Sequence, residues 1–258
     1  MKSLLLLLLL PLPLLLLGCA GPQADAQAPE PTRPESARVL FIGNSFTFWH
    51  SGLWRQLQAL SAGMTPPLGY ETDRVVRGGA SLEVMWKRTK ARERIAEGNW
   101  DVVVLQEDLP ETDVASFREY AAKFVEAVRA VGARPVLFMA WDYDRLGWIS
   151  LDEILSAHQE VAANLQVEVA PVGLAWRNAS AAQPDLDMYA RDREHPSVAG
   201  SYLALMVIEA TVSGLDPVAH DADELRLPGL ERLDPEHPAS HPQSAEPSIA
   251  EGQPPTGR

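Results

Sequence analysis

Hydrophobic positions along this chain follow two periods. Nearly continuous apolar blocks occupy residues 37–42, 101–107, 134–140 and 167–172, and a weaker β-rich stretch covers 72–77. Blocks this continuous do not suit a sheet with one wet face; they fit strands covered on both sides, as in a parallel sheet. Between them the spacing turns helical. Residues 46–60 set polar Arg55, Gln56 and Gln58 between apolar positions, and residues 82–97 carry Val84, Met85, Trp86 and Ile95 among many charges, with Ser81 as cap and Gly98 as stop. Residues 113–131 repeat Phe117, Tyr120, Ala121, Phe124, Val125 and Val128 at helical intervals and end at Gly132. Helices over 151–165 and 197–213, the latter closed by Gly214, complete the pattern. Strands alternating with helices predict an α/β fold: a three-layer αβα sandwich on a flavodoxin-like, parallel, five-stranded sheet with 101–107 at its centre.

The two ends break both periods. Residues 1–18 are an export signal: Lys2, then a leucine-dominated run interrupted by Pro11 and Pro13 and shorter than the roughly 20 residues that span a membrane. Leu16-Leu17-Gly18-Cys19 resembles the bacterial lipobox, whose cysteine becomes the lipid-modified first residue of the mature protein. Cys19 is the single cysteine of the chain, so it has no internal disulfide partner. The resemblance implies a membrane-anchored lipoprotein, and Ala20 in place of a retention aspartate points to the outer membrane and periplasm. Residues 19–35, rich in Pro, Ala, Gln and acidic residues, read as a flexible tether. The folded domain is expected over 36–218, with a disordered tail at 219–258.

Composition narrows the partners. Lys plus Arg number 22 against 35 for Asp plus Glu, a formal net charge of -13 in 258 residues. No basic stripe offsets it, which excludes nucleic acid as a partner. There is no P-loop, internal repeat or paired-cysteine spacing, and no His-x-x-x-His spacing within the expected folded domain, so neither cofactor nor metal is expected.

Candidate chemistry collects at the strand ends. Ser45 follows the first strand through Gly43-Asn44, Gly78-Gly79 follow the second, Gln106-Glu107 end the third, and Asp192-Arg-Glu-His195-Pro196 precedes the last helix. In open α/β sheets this carboxyl edge is where ligands bind. Ser45 reads either as the N-cap of its helix or as a nucleophile. As a nucleophile it needs a base, and His195 near the N-cap of the last helix supplies one. Asp192 can turn back to orient the imidazole, with Asp142 and Asp144 as rivals for that task. Amides of Ser45 and of Gly79, or Gly78 as second choice, together with the Gln106 side chain, can form an oxyanion hole. Trp141, beyond the fourth strand, reads either as a stacking surface for a sugar ring or as rim packing. His50 and His158 read as ordinary histidines.

In Gly43-Asn44-Ser45-Phe46-Thr47, Gly78-Gly79-Ala80-Ser81 and Asp192 to Pro196, the chain resembles the SGNH, or GDSL-like, hydrolase superfamily over about residues 36–215. The third block departs, with Val104-Leu105-Gln106-Glu107 where the family has Gly-x-Asn-Asp. The resemblance implies a serine esterase that removes acyl groups, O-acetyl groups among them, from carbohydrate or another exported ester, with Gln106 in the role of the family asparagine. An acyltransferase on the same site and a non-catalytic glycan-binding lipoprotein are the alternatives.

Overall fold

Residues 35–214 are described in the computed structural model of the chain. The expected signal peptide, Cys19, the tether up to residue 34 and the tail from 219 lie outside the described residues. Five parallel strands, β1 (Ser36–Gly43), β2 (Gly69–Val76), β3 (Val102–Gln106), β4 (Arg134–Phe138) and β5 (Glu168–Ala170), form one sheet in the order β2-β1-β3-β4-β5. This is the flavodoxin-like order, with β3 central and buried along its whole length.

Side chains alternate along each strand, and this period of two divides the apolar runs between two layers. Val39 and Phe41, Val102 and Val104, and Val136 and Phe138 face α1 (Ser45–Phe48), α2 (Leu53–Gly63), α7 (Val172–Ala182) and α8 (Val198–Ser213). Leu40, Ile42, Val103, Leu105 and Leu137 face α3 (Leu82–Arg88), α4 (Ala91–Ala96), α5 (Val114–Ala130) and α6 (Leu151–Leu165). The result is a three-layer α/β sandwich, as the two periods predict. Polar side chains cap the helices: Ser81, as expected, accepts from Val84 N, Asp113 from Ser116 N, and Ser150 with Glu153 forms a reciprocal capping box, while the last helix is capped by Ser197, which accepts from Gly200 N, two residues beyond His195.

Three elements differ from the sequence reading. The helix expected over 46–60 breaks at His50, Ser51 and Gly52, all with positive φ (46°, 74° and 89°). A side chain on Gly52 would strike the Trp54 ring at 2.3 Å, so the turn there requires glycine. The helix over 82–97 breaks at Thr89-Lys90, where the Thr89 hydroxyl bonds the Met85 carbonyl and takes the Ala91 N–H. α7 had no counterpart in the reading, because its apolar positions continue directly from β5 through Pro171.

Candidate active site

The serine loop begins where β1 ends. Asn44, not Ser45, is the N-cap of α1: its Oδ1 accepts the Phe46 N–H at 3.0 Å. Ser45 therefore takes the first helical position, 9% exposed, and its hydroxyl is not spent on capping. The Ser45 amide stands at the N-terminus of the helix, pointing where its dipole favours negative charge.

The Asp192–His195 turn is closed on itself. Asp192 Oδ1 accepts the N–H groups of Glu194 (3.1 Å) and His195 (2.9 Å), and Oδ2 meets His195 Nδ1 at 2.8 Å. Burial raises the Asp192 carboxyl, but these bonds from the His195 backbone and ring and from Glu194 outweigh it and hold it below the usual carboxylate range. An ionised carboxylate only accepts, so Nδ1 carries a proton, and in the neutral ring Nε2 is the nitrogen that keeps its lone pair. The rival Asp144 is engaged with Arg193, whose Nε lies 2.7 Å away.

This turn is brought to the serine helix by aromatic contacts. The His195 ring stacks on Trp49 (centroids 3.9 Å, 14°) and meets Phe46 edge-on (5.8 Å, 78°), both within four residues of Ser45. Backbone pairing holds the turn from behind: Ala190 N donates to His195 O (2.7 Å) and Ser197 N to Met188 O (2.9 Å). His50 Nε2 donates to Pro196 O (3.0 Å) and Trp141 Nε1 to Glu194 O (2.8 Å). The sequence reading missed Trp49 and took His50 for an ordinary histidine; their place just past the serine, in a turn rich in aromatics, was the available signal.

Gly79 has φ +59° and open space around its Cα, and neither its amide nor that of Ser45 has an acceptor among the described residues. Gly78, the second choice, lies beside Phe48, whose ring edge would be 3.9 Å from an added Cβ.

Two residues stand elsewhere than the sequence reading put them. Gln106 is fully buried beneath the serine loop. Its Oε1 accepts from Asn44 N (2.7 Å) and Thr47 Oγ1 (3.3 Å), and its Nε2 donates to Glu107 O (2.8 Å). With its amide committed there, Gln106 braces the loop and is not an oxyanion donor. Trp141 is 1% exposed, stacked face to face on Trp176 (3.8 Å, 6°) and tilted against Phe46 (4.6 Å). It forms the floor under Phe46 and offers no face to a sugar.

The third block works by alternation at the end of β3. Gln106 and Asp108 reach the serine loop, Asp108 accepting Asn44 Nδ2 at 2.7 Å. Glu107, pointing the other way, accepts Leu82 N (3.2 Å) at the start of α3 and so holds the glycine loop. Burial pushes Glu107 up to about 7 and Asp108 up to about 6. Neither role was read from the sequence, since the block matched no family pattern.

No protein-family model matches the chain, and no curated protein matches it. Solved structures do. A protein from Slackia heliotrinireducens assigned as an SGNH hydrolase is 32% identical, with 68% of this chain and 98% of that one covered and a TM-score of 0.57. A lipase/acylhydrolase from Enterococcus faecalis (20% identity, 70% and 98% covered, TM-score 0.57) and an acetylxylan esterase from Geobacillus stearothermophilus (17%, 70% and 95%, TM-score 0.55) share the fold. With a relative at that identity spanned almost end to end, and with the serine, glycine and Asp-x-x-His blocks at one sheet edge, this chain belongs to the SGNH hydrolase superfamily.

Proposed function

We propose that the protein is a serine ester hydrolase that removes short acyl groups, acetyl foremost, from a carbohydrate ester. The observation that carries the reading is the Asp192–His195 pair at 2.8 Å, its ring stacked on Trp49, the residue that ends the helix Ser45 begins. His195 Nε2 takes the proton from Ser45 Oγ as the hydroxyl attacks the ester carbonyl. The negative charge on the carbonyl oxygen is met by the amides of Ser45 and Gly79. His195 then delivers its proton to the departing alkoxide, which leaves as the alcohol, and water repeats the cycle on the acyl-serine. Asp192 keeps the imidazole in the required tautomer and stabilises its cation. The carbohydrate part is supported by the family resemblance and by the fold shared with an acetylxylan esterase. Export and lipid anchoring through Cys19, with the site facing the periplasm, rest on the lipobox resemblance of residues 16–19.

The test is turnover of aryl acetates and a panel of acetylated sugars. Ser45→Ala and His195→Ala should each cost about 10⁴-fold or more in kcat, and Asp192→Asn a similar or smaller factor. Ester turnover surviving in Ser45→Ala would overturn the mechanism.

A further inference from the structure

Asp108 is 1% exposed and lies between the two halves of the site. Its Oδ2 accepts from Asn44 Nδ2 (2.7 Å), the residue that caps the serine helix, and its Oδ1 accepts from the Tyr143 hydroxyl (2.6 Å). Tyr143 packs edge-on to Phe46 (5.4 Å, 80°), and Phe46 in turn meets the His195 ring. Beyond Tyr143 the same loop continues into Arg145, which pairs with both Glu111 and Glu194, the latter adjoining His195. One buried carboxylate thus holds both the amide that caps the serine helix and the phenol packed on Phe46, the ring that His195 meets.

Both partners of Asp108 act as donors. A carboxylate answers two donors at once; an amide of the same shape answers one and turns its own NH₂ against the other. Burying an anion is costly unless its oxygens are met, and a wholly structural position at this depth is served as well by an apolar side chain.

Resting on the esterase reading above, we propose that Asp108 is a positioning residue of the reaction: it sets Ser45 through Asn44 and His195 through Tyr143 and Phe46 in one register. It touches no reacting atom, so its effect falls on turnover and not on substrate affinity.

The experiment compares four full-length proteins on an aryl acetate and by the rate of Ser45 labelling with a fluorophosphonate: wild type, Asp108→Asn, Tyr143→Phe, and the exchange Asn44→Asp with Asp108→Asn. In Asp108→Asn, kcat and the labelling rate should fall together by about 10- to 100-fold, the scale of a lost charge-assisted hydrogen bond, with KM within about twofold. Tyr143→Phe should fall less, because the Asn44 contact survives. In the exchange, the amide now at 108 donates to the carboxylate at 44 while its oxygen accepts from Tyr143, and that carboxylate can still cap Phe46. This protein should regain most of the lost turnover. If Asp108→Asn does not fold, recovery in the exchange protein and the KM-neutral loss in Tyr143→Phe decide the matter. Wild-type kcat in folded Asp108→Asn, or an exchange protein no better than Asp108→Asn alone, overturns the proposal. A wild type that neither turns over ester nor labels at Ser45 overturns the esterase reading, and this proposal with it.

Discussion

Replacing Glu107 by glutamine should flatten the dependence of stability on pH between about 5 and 8. The carboxyl is buried, and despite donors at Leu82 N, Asp108 N and Thr112 Oγ1 its loss of water holds it at about 7, against about 4.5 when exposed. Between those values the folded protein keeps a proton that the unfolded chain has released. The stability this contributes is fully present below about 4.5 and lost as pH rises through about 7. About 2.5 decades of proton affinity at about 1.4 kcal/mol each, taken over the window from pH 5 to 8, amount to about 2–3 kcal/mol. His158 acts in reverse: burial lowers it to about 4, so it gains stability for the protein as pH rises from about 4 toward 6.5. Asp108, raised to about 6, acts in the same direction as Glu107. The informative quantity is therefore the difference between wild type and Glu107→Gln, in which the distant His158 cancels. Urea unfolding followed by tryptophan fluorescence at about pH 5 and pH 8 measures it. The wild type should lose about 2–3 kcal/mol more than the variant over this interval. A gap between the two proteins that is the same at both pH values would show that Glu107 ionises like an exposed glutamate.

Trp141→Ala should behave as a core truncation. It removes an indole lying between Trp176 and Phe46 and the bond to Glu194 O, for about 3–5 kcal/mol in urea unfolding. Unchanged stability with a raised KM for acetylated sugars would return Trp141 to a binding role. Cys19→Ser should abolish metabolic labelling by a palmitate analogue and release the protein from the membrane fraction; labelling that persists would rule out Cys19 as the modified residue.

The sheet was legible because each buried strand writes its two faces into an unbroken apolar run, as Val39 to Ile42 and Val102 to Leu105 do. Helix ends were legible where a cap is a local contract, as at Ser81 and Gly214. The break at 50–52 was not, because helical spacing runs on through it while only the backbone's positive φ marks the turn. In the site, Asp192 and His195 lie three residues apart and interact directly, so their pairing shows in the sequence. Gln106 was misread for the opposite reason. Its side chain is engaged by Asn44 and Thr47, about sixty residues away, and a primary amide facing the substrate looks the same in sequence as one turned beneath the loop. Trp141 and Trp148 carry the same ambiguity on one loop: the first is buried, while the second is 73% exposed.

The histidine turn is held from outside at main-chain oxygens: Trp141 grips the carbonyl of Glu194, and His50 that of Pro196. Every residue type owns a carbonyl, so these two clamps are indifferent to the side chains of the turn they secure. Exposed Arg191 is accordingly open to mutational drift at little cost to the placement of the base. The surface beside the turn can change its charge while the imidazole keeps its address.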